Sequence, residues 1–283
     1  MFTLRGPEFL VLFAGLAVVV YLIVDAAIAA LEARLSSDTR IRDPYSIAYL
    51  RGESRELLRV VAMSLVQRGL LGVEGKTFLT VDSAETDRVR VPVEAQVLRL
   101  CRKPYSAPGL VAAAGFEEAA GVYHRELVSR GLLASEELKH RRWLYVFAGS
   151  ACLLAIALIK IVLALSTGHS NVFFLMILAV VAVGLLARRA AENRTLAGTA
   201  TLRKLRTLFD SLWRARRRGK KFEDPSEAAL LAAVFGVYSV PAFDSISWSA
   251  MFPKRASNSC GGGSSCGGGG CGGGGGGCGG CGS

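Results

Sequence analysis

Histidine is nearly missing from this chain: its 283 residues include three, His124, His140 and His169. None stands at the spacing of a metal-binding motif or of a nucleophile and its base, so the sequence offers no zinc-hydrolase or acyl-transfer constellation. No glycine loop ends in Lys followed by Ser or Thr ahead of a helix, which removes the phosphate cradle of nucleotide hydrolases. Cysteine is scarce until the far end, where the last five of seven lie; Cys101 and Cys152 read as ordinary apolar side chains in helices. Acidic residues number 23 against 34 Lys and Arg, leaving a formal charge of +11. Such a charge suits nucleic acid or a membrane surface, and its distribution chooses between them. Residues 32–142 carry 18 basic and 15 acidic side chains, too even for a duplex-binding face, while residues 188–283 carry 14 and 6. The excess lies beside apolar runs, so nucleic acid is not an expected partner.

Apolar residues make up 51% of the chain, and the mean hydropathy is +0.37, high for a water-soluble protein. Three segments have the length and composition of membrane spans: 9–31, 143–165 and 172–187. The second and third are joined by the short outer loop 166–171, Ser-Thr-Gly-His-Ser-Asn, which lacks Lys and Arg. Basic residues flank the opposite ends: Lys139, Arg141 and Arg142 before the second span, Arg188, Arg189 and Arg194 after the third, and Arg34, Arg40 and Arg42 after the first. The positive-inside bias therefore predicts a multi-pass cell-membrane protein with residues 1–8 outside, and with 32–142 and everything from 188 onward in the cytoplasm. The small-x-small run Ala27-Ile28-Ala29 also fits a cleaved leader, which would export both the unit and the tail. The basic flanks of the hairpin favour a retained first span. Two charges fall inside spans, Asp25 near the inner end of the first and Lys160 near the outer end of the second; at opposite depths they make poor partners, and Lys160 can snorkel to the interface.

The segment 32–142 contains a repeat. Leu-Val-Gln-Arg-Gly-Leu-Leu-Gly at 65–72 returns as Leu-Val-Ser-Arg-Gly-Leu-Leu-Ala at 127–134, 62 residues later. A helical pattern from Glu53 stops at Gly69, and Lys-Thr-Phe-Leu-Thr and Arg-Val-Arg-Val-Pro-Val follow as two short strands about a polar turn. Helix, glycine stop and two-stranded wing outline a winged helix. The second copy has a helix from Pro92 to about Arg102 and another from about Phe116 to Arg130, with a missing or very short wing. The expected fold is thus mainly α: three transmembrane helices, a cytoplasmic tandem winged-helix-like unit, and a disordered Gly/Cys-rich tail at 257–283. The repeat reads as packing and a protein-binding face rather than a DNA reader.

Residues 188–222 form a basic juxtamembrane stretch in which Leu202, Leu205, Phe209, Leu212 and Trp213 recur at helical spacing. Such a helix lies on anionic headgroups or docks its stripe on the unit, and the membrane surface is the preferred reading. The apolar segment 226–243, ending near Pro241, is too short to cross comfortably and reads as a buried or interfacial helix.

Asp43-Pro44-Tyr45, Ala48-Tyr49-Leu50-Arg51-Gly52 and the Gly/Cys-rich terminus resemble a family of uncharacterised bacterial multi-pass membrane proteins that share this domain and often end in low-complexity tails. The resemblance covers most of the chain. Relatives commonly carry two glycines after the Tyr-Leu element, where this chain has Gly52-Glu53. The family has no established activity; some relatives are associated with enzymes that modify cysteines in ribosomally made peptides, which implies a modification substrate in the tail.

From Cys260 to Ser283 the chain holds 16 of its 32 glycines and the five cysteines Cys260, Cys266, Cys271, Cys278 and Cys281. One Cys-x-x-Cys pair occurs, without the paired pattern of structural zinc. A glycine coil can wrap thiolates round Cu(I) or Zn(II), at an entropy cost that no scaffold offsets. The tail cysteines are therefore candidate metal ligands and equally candidate modification sites, and no other cofactor is expected. Two functions stand: a non-enzymatic membrane-anchored scaffold that displays the tail to a protein partner or modifying enzyme, or thiol-based metal capture or redox chemistry in the tail itself.

Overall fold

The computed structural model describes residues 6–34, 38–41, 43–81, 89–166, 173–217, 225–239 and 252. The five tail cysteines, His169 with the rest of outer-loop residues 167–171, and residue 172 lie outside that set. The chain is mainly helical, and the described part belongs to one compact unit, Met1–Phe252.

Three helices, α1 (Gly6–Ala33), α6 (Glu136–Ser166) and α7 (Phe173–Ala190), pack side by side. Each contains a stretch long and apolar enough to cross a membrane: Leu10–Ala33, Glu136–Val162 and Phe173–Ala190. Their buried residues form two layers. Val24, Ile28, Val146, Leu153 and Leu186 close one end, and Phe13, Ala157, Leu175 and Ala179 the other. That pairing makes α6 antiparallel to its two neighbours. Valine and leucine side chains such as Val18, Leu22, Leu158 and Val180 point outward, each more than half exposed, as lipid-facing positions do. Gly149 permits the close approach of α6 to α1, since a Cβ there would stand 3.0 Å from Val24 Cγ2.

The globular part surrounds α2 (Pro44–Gln67). Asp43 caps this helix: its Oδ2 accepts from the Ser46 amide at 2.9 Å, and Pro44 occupies the first turn, where its missing N–H costs nothing. The sequence pattern predicts a helix from Glu53; the helix instead begins at Pro44 and passes through a kink at Gly52 and Glu53. Its end matches the repeat. Gly69 (φ +72°) and Gly131 (φ +69°) both take the left-handed conformation. Leu70 N–H donates to Leu65 C=O and Gly69 N–H to Val66 C=O, and Leu132 and Gly131 donate likewise to Leu127 and Val128. Both copies therefore end in a Schellman motif whose leucines enter the core.

After Gly69, β1 (Leu71–Glu74) turns at Gly75, itself left-handed at φ +61°, into β2 (Thr77–Thr80). Arg-Val-Arg-Val-Pro-Val is not the second strand. Val89 to Val91 lead straight into α3 (Pro92–Leu100), while the residues directly after the glycine stop form β1. A third strand, β3 (Tyr105–Ser106), pairs with β2 in the order β1-β2-β3. Two more helices follow, α4 (Ala107–Ala112) and α5 (Ala114–Ser129), and the second copy ends in an isolated bridge between Leu133 and Arg194 instead of a hairpin.

Beyond the spans lie α8 (Leu196–Arg217) and α9 (Pro225–Phe235). The basic helix does not lay its apolar stripe on the membrane surface, the placement its sequence suggests. Leu202 is buried in the globular core, Leu205 and Phe209 pack against it, and Trp213 stacks on Phe235 at 5.2 Å, so the apolar stripe of α8 faces the unit and not lipid. The same core buries Ala228, Ala229, Ala232 and Val234 of α9 against α2, which makes the short apolar segment a core helix.

Candidate functional site

Where the three long helices meet the globular unit, charged residues from five elements converge. Glu32 sits in the last turn of α1, Arg142 near the start of α6, Arg189 in the last turn of α7, and Glu192 in the connector just beyond it. Arg142 Nη2 donates to Glu32 Oε1 at 2.7 Å, and both side chains are sealed from solvent. The same guanidinium donates to the carbonyls of Glu192 at 2.5 Å and Arg194 at 3.3 Å. The second Glu32 oxygen accepts from the Leu196 amide, the first N–H of α8, at 2.5 Å; a carboxylate there also suits the positive end of the helix dipole. One residue pair thus ties α1, α6, the 191–195 connector and α8 together.

The connector is itself fastened to the second repeat. Ala134 N–H donates to Asn193 C=O at 2.9 Å, and Thr195 N–H to Leu132 C=O at 3.2 Å. Thr195 Oγ1 caps α8 by accepting from Gly198 N–H at 3.1 Å and donates to Gly131 C=O at 2.8 Å. Gly198 is required by this closeness: a Cβ would stand 2.3 Å from the Leu132 carbonyl oxygen.

The kink of α2 faces the same junction. Glu53 has φ +58° and ψ −152°, a conformation that glycine adopts freely and side chains resist. Its Oε1 accepts from Asn193 Nδ2, and Arg194 Nη2 donates to the Arg51 carbonyl. Arg51 in turn pairs with Glu56 and donates to Ala232 C=O at 3.2 Å, joining α2 to α9. Burial pushes the Arg51 and Arg194 guanidinium groups below the usual arginine range, and the Glu56 charge opposes that for Arg51. Between kink and connector lies a cavity of about 310 Å³ whose lining includes Leu50, Glu53, Leu133, Asn193 and Thr199.

Chemically this arrangement fixes geometry. Its acids and arginines are bonded to one another and to backbone carbonyls, as in a joint. Among the described residues no group of three or more His, Cys, Asp and Glu is placed to hold a metal ion. Cys260, Cys266, Cys271, Cys278 and Cys281, the residues singled out in the sequence as metal ligands or modification sites, lie outside the described residues. Cys101 is buried at the end of α3, where burial pushes its thiol up to about 12, and Cys152 is exposed on α6. His124 meets Tyr49 edge-on at 6.0 Å, and His140 is exposed.

Asp25 accepts from Arg189 Nε at 2.6 Å. The sequence reading missed the joint. In the sequence Arg142, Arg189 and Arg194 stand only as flanking charge, while Glu32, the acid that receives Arg142 110 positions away, carries no local motif. The Asp43-Pro44-Tyr45 element is accounted for by structure: cap, first-turn proline, and a tyrosine whose hydroxyl donates to buried Glu94. No protein-family model, curated protein or solved structure matches the chain.

Proposed function

We propose that this protein is a non-enzymatic, membrane-anchored scaffold that holds a tandem winged-helix-like unit in fixed register against its own three-span bundle and displays the cysteine-rich tail to a protein partner or a modifying enzyme. The observation that carries this reading is the buried Glu32–Arg142 pair with its bonds to the 191–195 connector and α8. A hinge between anchor and unit would leave these groups in water; here they are sealed, so the unit cannot swing on a loose tether. The twin Schellman stops and the α2–β1–β2 succession support the winged-helix-like description. The basic flanks of the spans support a cytoplasmic unit and tail.

The second reading, capture of Cu or Zn by tail thiolates, draws on the five clustered cysteines. Intact mass and metal content of the full chain from its native host, beside a variant with all five tail cysteines changed to serine, separate the two. The scaffold reading expects no stoichiometric metal, and a tail that is either unmodified or carries a covalent addition lost in the serine variant. Stoichiometric metal that disappears in the serine variant would replace the scaffold reading with the metal-capture one.

A further inference from the structure

The helix α8 has two unlike faces. Its apolar stripe is spent on the globular core, through Leu202, Leu205 and Phe209. The opposite face is basic and open: Arg203, Lys204, Arg206 and Thr207 are all exposed, and Leu208 is 71% exposed. At about 100° per residue these four polar positions span a sector of about 160°. The whole helix carries six basic residues and one acid, Asp210, and that acid is taken by Arg214 at 2.7 Å. Arg203, Lys204 and Arg206 have no counter-charge of their own on the helix.

The place of this face is fixed by the joint. Leu196, the first residue of α8, is bonded to Glu32 in the last turn of a membrane-length helix. At the same level of the bundle α6 exposes Trp143 and Tyr145, one residue and three residues past Arg142, the amphipathic aromatics that sit at a headgroup boundary. Arg203 and Lys204 follow Leu196 by seven and eight residues, so a rise of 1.5 Å per residue keeps them within about 12 Å of that boundary at any tilt of the helix. An arginine or lysine stem shortens the gap to within the Debye length of about 8 Å at physiological ionic strength.

We propose that the outward face of α8, through Arg203, Lys204 and Arg206, binds the anionic phosphate headgroups of the same bilayer that holds the three long helices. The contact is electrostatic and superficial, since the apolar residues that would insert into lipid are occupied by the protein. It makes the setting of the globular unit on the membrane sensitive to lipid charge and to salt. An acidic polypeptide or a nucleic acid on this face would give no dependence on lipid charge.

The test uses the full chain with Cys152 and the five tail cysteines changed to serine and a nitroxide attached at Thr207→Cys. It is reconstituted in discs of phosphatidylcholine alone or of phosphatidylcholine with a minority of phosphatidylglycerol. Collisional access of a neutral nickel chelate should fall at least about threefold in the phosphatidylglycerol discs and return at high salt. Arg203→Gln, Lys204→Gln and Arg206→Gln together should remove the difference between the discs. Equal access in both discs, or a fall that survives the triple substitution or high salt, would overturn the proposal. The salt arm uses the protein with its arginines intact, so it reads the contact even where the triple variant misfolds.

Discussion

Arg142 of α6 and Glu32 of α1 meet at 2.7 Å in a site closed to solvent, 110 positions apart in the chain. Removing one partner of a buried pair strands the other charge. Arg142→Leu leaves Glu32 with the Leu196 amide and Arg189, whose nearest nitrogen is 4.0 Å away, and is expected to lower stability by about 3–5 kcal/mol. Adding Glu32→Leu should recover part of that loss: no unpaired buried charge remains, although the Leu196 amide and the Glu192 and Arg194 carbonyls lose their partners. Thermal melts of the full chain in one fixed detergent check this; a double variant as unstable as Arg142→Leu alone would contradict it.

Glu53 offers the opposite sign. Its left-handed φ costs about 1–3 kcal/mol in a residue with a Cβ, and glycine removes that cost. The hydrogen bond from Asn193 is lost in exchange, worth about 1 kcal/mol at an exposed site. Glu53→Gly is therefore expected to raise the melting temperature, with a net gain of up to about 1 kcal/mol. Neighbouring Gly52 behaves differently: its φ of −168° is ordinary extended backbone, but a Cβ would meet Glu56 Cγ at 2.3 Å. Gly52→Ala must displace Glu56 from Arg51 and Arg59, and is expected to destabilise.

Gly198→Ala tests the dock between α8 and the second repeat. The added methyl would lie 2.3 Å from the Leu132 carbonyl oxygen, which is backbone and cannot rotate away. Helix propensity alone would favour alanine by about 1 kcal/mol; the clash should override it and cost about 1–3 kcal/mol. Denaturant unfolding of the full chain provides the measurement, and a stabilised variant would show that α8 is not held this closely.

These predictions rest on features that differ in how plainly the sequence shows them. The repeat was legible because its cause is local: a glycine two residues past the last helical turn, followed by leucines, specifies a Schellman stop wherever it occurs, and Gly69 and Gly131 both obey. The three long apolar helices were legible from composition for the same reason. The strand Leu71–Glu74 was misread because four residues beside a helix end carry little periodicity, and the charged alternation at Arg88–Val93 imitated a strand. The stripe of α8 was legible as amphipathic, but which surface it covers is decided by α2 and α9, distant in sequence. The Glu32–Arg142 joint left no signal, since a single acid among flanking charges acquires meaning only when two helices bring it to its arginine.

Alkaline unfolding probes the core beside the hairpin. Burial pushes the Cys101 thiol up from 9.0 to about 12. Burial, the Glu94 charge and the bond to Glu94 push the Tyr45 hydroxyl above the ordinary phenol range. In the unfolded chain both groups deprotonate first, so between the two values the folded state binds more protons and stability falls as pH rises. The contribution is complete below pH 9 and is lost progressively from there towards 12. Cys101→Ala removes one titrating group from a site it can fill without a new polar atom. Its stability should decline less steeply than that of the unaltered chain from pH 9 upward, by up to one proton's worth of slope. Denaturant melts at stepped pH measure that slope, and an unchanged slope in Cys101→Ala would mean that the thiol is reached by water in the folded protein.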